Sequence, residues 1–280
     1  MDKNTLYVSD LDGTLLNPDS FVSEKSAELL SSVSSMGGLF TVATARTPAT
    51  VVPLLRNVRS SVPCIVMTGA AMWDRRDNRY IHTRFLTAEA AKYVAGEFRK
   101  VGICPFFYCL PEEGNLLEVY HNGSMNRKMS DFYLERRNLK LKKFIFGKDV
   151  PAPLLGRTLL VFAIEKAVLV EKLAETLTKN KEISVSAYPD IFNRDWSVIE
   201  IYAGGVSKAS AIEFLRDHIS ASDVVVFGDN LNDIPMFRVA DRAVAVSNAF
   251  QEVKDSADIV IGSNAEDAVA HFIMNDFLKR

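Results

Sequence analysis

Two short acidic segments carry the residue types that this sequence could use for chemistry. Asp10-Leu11-Asp12-Gly13-Thr14 follows directly on an apolar run, Leu6 to Val8, and Gly228-Asp229-Asn230-Leu231-Asn232-Asp233 follows another, Val224 to Phe227. Residues two apart in an extended backbone project to the same side, so Asp10 and Asp12 are expected to emerge together at a strand end. Carboxylates this close repel unless a cation or proton compensates, and an all-oxygen set suits a hard divalent metal. Either segment alone also reads as turn material rich in Asn, Asp and Gly. Both at matching strand ends would need two coincidences, and four acids converging on one sheet edge is the simpler expectation.

A phosphoryl group beside such a metal needs positive charge and donors around its non-bridging oxygens. Two candidates are present. Thr44 ends the apolar run Leu39 to Ala43. Lys208 opens a helix after Gly204-Gly205-Val206-Ser207, where free N–H groups and the helix dipole favour an anion. Taken singly, Thr44 reads as a strand-end residue and Lys208 as a solvated one.

The elements that must position these groups alternate. After Leu6 to Val8, Ser23 caps a helix with Ala27, Leu30, Val33 and Met36 at helical spacing, stopped by Gly37-Gly38. Leu39 to Ala43 is a second strand, Thr47-Pro48 opens a second helix, and Pro63 to Met67 is a third strand. The end of the chain repeats this grammar: a helix from Lys208 to His218, strand Val224 to Phe227, helix Ile234 to Ala240, strand Ala243 to Val246, a short helix, strand Ile259 to Ile261 and a closing helix. Together the two ends read as one doubly wound parallel sheet. Between residues 85 and 205 lie longer amphipathic helices (Ala88 to Val101, Met125 to Leu139, Val168 to Lys179) and paired strands (Leu116 to Tyr120, Thr158 to Ile164, Ile183 to Ala187, Val198 to Tyr202). That pattern predicts an α+β unit with a largely antiparallel sheet, leaving through a Gly204-Gly205 hinge.

Composition narrows the class. With 280 residues, 48% hydrophobic and 24% charged, the chain has ordinary globular composition and material for one large or two moderate domains. A net charge of -2 gives no overall attraction to nucleic acid or an anionic membrane. Cys64, Cys104 and Cys109 are few, odd in number and without metal-ligand spacing, and read as buried thiols. His82, His121, His218 and His271 are scattered and read as surface or packing residues. The apolar stretch after Met1-Asp2-Lys3-Asn4 is too short for a signal peptide or membrane helix, so a cytoplasmic location is expected by default.

Four motifs together resemble the haloacid dehalogenase superfamily, in its Cof-like, type IIB sugar-phosphatase branch: Asp10-Leu11-Asp12-Gly13-Thr14-Leu15, Val42-Ala43-Thr44-Ala45-Arg46, Lys208, and Gly228 through Met236, in matching order and spacing. The tail from Ala245 to Ala268 is similar to the family's closing segment. The resemblance implies a Rossmann-like doubly wound core, residues 1–84 and 206–280, with an inserted α+β cap domain over residues 85–205 that selects the substrate. It implies a phosphatase acting on small phosphomonoesters, sugar phosphates above all, with Asp10 as nucleophile and Asp12 as general acid and then base. Mg2+ would be held by Asp10, the backbone carbonyl of Asp12 and Asp229, supported by Asp233 and, through water, Asn230. Thr44, the backbone at Leu11 and Ala45, Lys208 and Asn232 would hold the phosphoryl oxygens.

Some positions depart from the family pattern. Ala45 stands where Gly is usual, Thr47 where Pro is usual, Thr68 where Asn is usual and Ala268 where Gly is usual; each puts local geometry in question and removes no assigned chemical group. Arg46 reads either as a partner for nearby carboxylates or as a solvated side chain. In the cap, Tyr188, Asn193, Arg194, Asp195 and Trp196 form a polar and aromatic cluster suited to a polar substrate, with Arg194 and Trp196 the candidate contacts; a surface loop is the plainer reading. The expected partner is a small phosphorylated metabolite, with neither nucleic acid nor membrane, and the expected state a monomer or weak dimer. Two alternatives stay open at this point: a phosphomutase or phosphotransferase that hands the phosphoryl group to a second hydroxyl, and a phosphate-binding module without turnover, against which Lys208 and the acid at Asp12 both argue.

Overall fold

The computed structural model describes residues 4–190 and 193–279. The chain forms two compact units: one runs through Ile81 and resumes at Ser207, and the other is the insertion His82–Val206.

The first unit begins β1 (Thr5–Ser9), α1 (Glu24–Ser35), β2 (Leu39–Val42), α2 (Pro48–Leu54), β3 (Cys64–Val66), β4 (Ala71–Asp74) and β5 (Arg79–Thr83). The insertion adds α3 (Ala88–Lys100), β6 (Phe106–Cys109), β7 (Leu117–His121), α4 (Arg127–Arg136), β8 (Lys142–Phe146), α5 (Ala152–Leu155), β9 (Thr158–Lys166), α6 (Ala167–Leu177), β10 (Ile183–Pro189) and β11 (Trp196–Ala203). The first unit then resumes with α7 (Lys208–His218), β12 (Asp223–Gly228), α8 (Ile234–Phe237), β13 (Arg242–Val246), α9 (Gln251–Asp255), β14 (Ile259–Ile261) and α10 (Ala268–Leu278).

The core sheet has the order β14-β13-β12-β1-β2, every neighbouring pair parallel. Every residue of β1 is buried, as a strand covered on both faces requires. The chain leaves β1 towards β2 on one side, while β12 lies on the other. The strand order therefore reverses between β1 and β12, where a doubly wound sheet opens a crevice at its carboxyl edge. Local signals fix the flanking helices. Ser23 accepts from the Ser26 N–H and starts α1, and Gly37 beyond its end has φ +94°. Pro48 is the first residue of α2, although the Thr47 hydroxyl makes no cap bond. The third predicted strand is β3, joined to the core sheet by a parallel bridge from Ala43 to Ile65. It continues into a small three-stranded sheet with β4 and β5, which periodicity does not reveal because β4 is buried throughout.

The insertion is an α+β unit around a six-stranded sheet, β10-β11-β9-β6-β7-β8. It is antiparallel except for β7 and β8, which run parallel through the α4 crossover. Phe132 of α4 stacks on Phe162 of β9 with ring centroids 4.5 Å apart, and Phe106 meets Phe144 edge-on at 5.4 Å. Strands β6 and β8 escape a periodicity reading, β6 because it is four residues long and β8 because it opens on Lys142-Lys143. Among the described residues no helix is long and apolar enough to cross a membrane.

Lys142 is 6% exposed, with its ammonium 5.3 Å from the Phe144 ring centroid. Burial, helped by the nearby Arg136 charge, lowers its pKa from 10.5 to about 7. The unfolded chain then binds more protons than the folded one between those two values, so this residue makes stability rise with pH across that window. Lys142→Met is expected to stabilise the fold below about pH 7 by on the order of 4 kcal/mol, and the difference should vanish near pH 10.5. Denaturant unfolding of both proteins across this range checks it; parallel curves would show that Lys142 is charged in the folded state throughout.

Candidate active site

Asp10 is the first residue beyond β1, and its N–H donates to the Phe227 carbonyl of β12 at 2.9 Å, which places it at the strand reversal. Its carboxylate is nearly buried and accepts from Lys208 Nζ at 2.6 Å through Oδ1. The same ammonium donates to Asp233 Oδ1 at 2.7 Å. Lys208, 4% exposed, is therefore a buried bridge between two acids and not a solvated side chain. Ser207 and Ser210 anchor it: Ser207 Oγ accepts from the Ser210 N–H while Ser210 Oγ accepts from the Ser207 N–H, a reciprocal cap that fixes the first turn of α7.

Asp229 follows β12 on the neighbouring strand. Its Oδ1 accepts from Thr14 Oγ1 at 2.7 Å, and Gly13, at φ +77°, packs so closely that a Cβ there would lie 2.4 Å from Asp229 Oδ2. Only glycine accepts both that dihedral and that approach. The Gly13 carbonyl in turn accepts from Asn248 Nδ2, and the Leu16 carbonyl from Asn264 Nδ2, each at 2.8 Å, so the closing segment holds the loop after β1. Asp233 is fully buried and accepts through Oδ2 from the N–H groups of Asp229 and Asn230.

Asp10, Asp229 and Asp233 can each direct an oxygen to within 4.8 Å of the others, the one such cluster of potential metal ligands among the described residues. Burial pushes Asp10 up to about 8, against the pull of Lys208 and with Asp233 adding to the rise. Burial likewise raises Asp229 to about 6, partly opposed by its Thr14 hydrogen bond. Burial alone would pull Lys208 down, yet Asp10 and Asp233 outweigh it and hold the ammonium above its ordinary range. Fully ionised, three carboxylates against one ammonium would leave two uncompensated negative charges, and the donors are all oxygen. A hard divalent cation fits that deficit.

Asp12 stands apart from this cluster. Of the four acids expected at one edge, Asp10, Asp229 and Asp233 form one group and Asp12 pairs with Arg46, while its charge still acts on Asp229. Arg46 takes the Asp12 carboxylate in a two-pronged pair, Nε to Oδ2 at 2.7 Å and Nη2 to Oδ1 at 2.6 Å. Thr44, buried at the end of β2, accepts from the Arg46 N–H through Oγ1 at 3.2 Å. Ala45 is absent from the residues with positive φ, so its methyl group costs nothing there. Thr68 differs: it has φ 56° and ψ 22°, between Met67 and Gly69, which also have positive φ. Asn tolerates this region and a β-branched residue does not. Ala268 is the first residue of α10, where no glycine is needed.

Asn230 caps the turn after β12, its Oδ1 accepting from the Leu231 N–H at 2.7 Å, and Asn232 is exposed on that turn. In the insertion, Arg194 lies in the exposed turn between β10 and β11, and Trp196 opens β11 with Lys166 Nζ 4.3 Å from its ring centroid. Cys64 and Cys109 are buried, with thiols pushed up to about 11 by burial, but Cys104, expected to be buried, is half-buried in the segment before β6. His121 is buried within the insertion, its Nδ1 3.3 Å from the Pro105 carbonyl. Sequence reasoning assigned no role to Thr14, Asn248 or Ser210; Thr14 lies inside the first motif, while the other two carry no local signal.

The chain belongs to the haloacid dehalogenase-like hydrolases, whose family profile matches residues 7–273, and so is an enzyme of the hydrolase class. It is 26% identical over 276 residues to the 5-amino-6-(5-phospho-D-ribitylamino)uracil phosphatase YcsE of Bacillus subtilis, covering 96% of this chain and 94% of that one. The fold matches a haloacid dehalogenase-like hydrolase from Bacteroides thetaiotaomicron with a TM-score of 0.78 at 21% identity, over 97% of this chain and 99% of that one. It also matches the subclass IIB sugar phosphatase BT4131, with a TM-score of 0.71 at 18% identity, over 97% and 98% of the two chains.

Lys208→Met leaves Asp10 and Asp233 buried without their counter-charge and is expected to cost about 3–5 kcal/mol in metal-free denaturant unfolding. A loss under about 1 kcal/mol would show that the two acids share protons and need no ammonium. Thr68→Asn is expected to gain about 1 kcal/mol by relieving the left-handed backbone. A loss in the same assay would mean that the threonine side chain contributes more than the strain costs.

Proposed function

We propose that this enzyme is a phosphatase that hydrolyses small phosphomonoesters through an aspartyl-phosphate on Asp10. The observation that carries the reading is the tethering of Asp10 by Lys208 at the strand reversal, with Asp229 and Asp233 beside it and two negative charges left uncompensated when all three acids are ionised. In the proposed reaction an Asp10 carboxylate oxygen attacks phosphorus and the bond to the ester oxygen breaks, while Asp12 gives that oxygen a proton. Water then attacks the phosphorus of the acyl phosphate, Asp12 takes its proton, and inorganic phosphate leaves with the Asp10 carboxylate restored. To hold a proton Asp12 must give up at least one of its bonds to Arg46, so Arg46 sets where Asp12 waits between the two steps. Lys208, the Thr44 hydroxyl, the N–H groups of Leu11 and Ala45, and Asn232 are the proposed phosphoryl contacts.

Asp10, the Asp12 carbonyl and Asp229 are the proposed ligands for Mg2+, positioned by Asp233 and the Asn230 turn. Bound there, Mg2+ would keep Asp10 ionised and offset charge on the phosphoryl oxygens. The substrate proposed is a phosphorylated sugar or sugar alcohol, since a phosphorylated polyol is common to the substrate named for the Bacillus relative and the class named for BT4131. In this reading residues 1–84 and 206–280 are the catalytic core and 85–205 the specificity domain, with Arg194 and Trp196 as its candidate substrate contacts.

Phosphate release from a panel of phosphorylated sugars and sugar alcohols tests the proposal. Release should require Mg2+ and fall by about three orders of magnitude or more in Asp10→Asn. Wild-type activity in that variant would remove Asp10 as the nucleophile, and no release from any phosphoester would overturn the phosphatase reading.

A further inference from the structure

Between Val51 and Tyr80 the chain carries five arginines, two acids and no lysine: Arg56, Arg59, Arg75, Arg76 and Arg79 against Asp74 and Asp77. In a protein of net charge -2 this is a concentrated positive excess. The fold gathers it at one place. Strand β2 ends beside Thr44, and α2 carries the chain back from that edge, so residues 55 to 62 lie at the opposite, amino end of the sheet, where β3 starts. Strand β4 runs antiparallel to β3 with Trp73 opposite Cys64, which brings the Asp74–Asn78 turn to the same end. Arg75 ties the two segments together: its Nη2 donates to the Leu55 carbonyl at 2.5 Å and the Val58 carbonyl at 2.8 Å.

Between them is a cavity of about 340 Å3 lined by Arg56, Arg59, Arg75 and Arg76 around Val52 and Val58. Its two acids compensate weakly. Asp74 Oδ1 is occupied by the Arg76 N–H at 2.8 Å and meets the exposed Arg76 side chain only at 3.8 Å, while Asp77 pairs with Arg79 at 3.3 Å, both side chains exposed. Arg56 and Arg59 have no ion pair among the described residues. Because Asp10 and Thr44 sit at the carboxyl ends of their strands, this charge lies at the far end of the sheet from the phosphoryl site. Guanidinium groups without lysine suit two-pronged binding of phosphate oxygens. The volume matches a small ligand, and the charge surrounds one concavity instead of running as the stripe that would track a nucleic-acid backbone.

We propose that this arginine cavity binds a small oligophosphate anion at a site separate from Asp10. Titration calorimetry with inorganic tripolyphosphate, without metal, should show binding to the whole protein that weakens about tenfold or more in the double variant Arg56→Gln/Arg59→Gln and in Arg76→Gln. Both variants change exposed side chains, so the fold should hold and phosphomonoester hydrolysis should stay at the wild-type rate. Unchanged affinity in the variants, or no binding by the wild-type protein, overturns the proposal. So does a single-stranded RNA oligonucleotide that binds more tightly than tripolyphosphate and loses affinity in the same variants, because the surface would then serve a polymer.

Discussion

The organisation of this enzyme depends on one buried ammonium between two buried carboxylates. Lys208 reaches Asp10 and Asp233 from the first turn of α7, joining residues that lie nearly two hundred positions apart in the chain. A bridge of this kind contributes little net stability, because removing three charges from water costs about as much as their attraction returns. What it contributes is position. Asp10 cannot rotate away from Lys208, nor Asp233 from the Asp229 and Asn230 N–H groups, without leaving a charge buried and unpaired. The Asp10 carboxylate is thereby fixed to the sheet edge.

The rest of the core supports that arrangement through backbone geometry. The reversal of strand order between β1 and β12 puts Asp10 and Asp229 on adjacent strands, and parallel register keeps both at the carboxyl edge. Gly13 lets the loop press against Asp229, Thr14 ties the loop to Asp229, and Asn248 and Asn264 hold it by bonds to the Gly13 and Leu16 carbonyls. The left-handed backbone through Met67, Thr68 and Gly69 belongs to the same region, since the Thr68 N–H donates to the Thr44 carbonyl. Local strain is tolerated there because the neighbouring strands determine the path.

Much of this was legible in the sequence, and the exceptions have physical causes. Strands buried on both faces appear as short apolar runs and helices as spaced apolar residues with caps, so the doubly wound core could be traced with little error. Strand β4 could not, because a strand buried throughout has no alternation to detect, nor could the part-exposed β5 beside it. In the insertion, β8 was hidden by two lysines, one of which the fold buries against an aromatic ring. Lys208 shows the limit most clearly. Composition favours a solvated lysine, and only the three-dimensional convergence of Asp10 and Asp233 makes a buried one stable. The residues of the acidic motifs were visible, and the resemblance assigned them separate roles; which partner each side chain finds was not visible, since it depends on the three-dimensional arrangement.

The difference in partners is sharpest between Asp10 and Asp12. Two residues apart and expected to emerge together in separate roles, they meet opposite surroundings. Asp10 is desolvated and held by one ammonium shared with another acid, whereas Asp12 is exposed and gripped by a guanidinium of its own. The Asp12–Arg46 pair is electrically neutral overall, yet the Asp12 charge still acts on Asp229 and the Asp10 charge on Arg46. Burial, opposed by Lys208 and reinforced by Asp233 and Asp229, pushes Asp10 towards protonation. A protonated carboxyl is a poor nucleophile. Under the proposed mechanism Asp10 would therefore depend on a cation to stay ionised, while Asp12 keeps a separate partner, Arg46, at the solvent side.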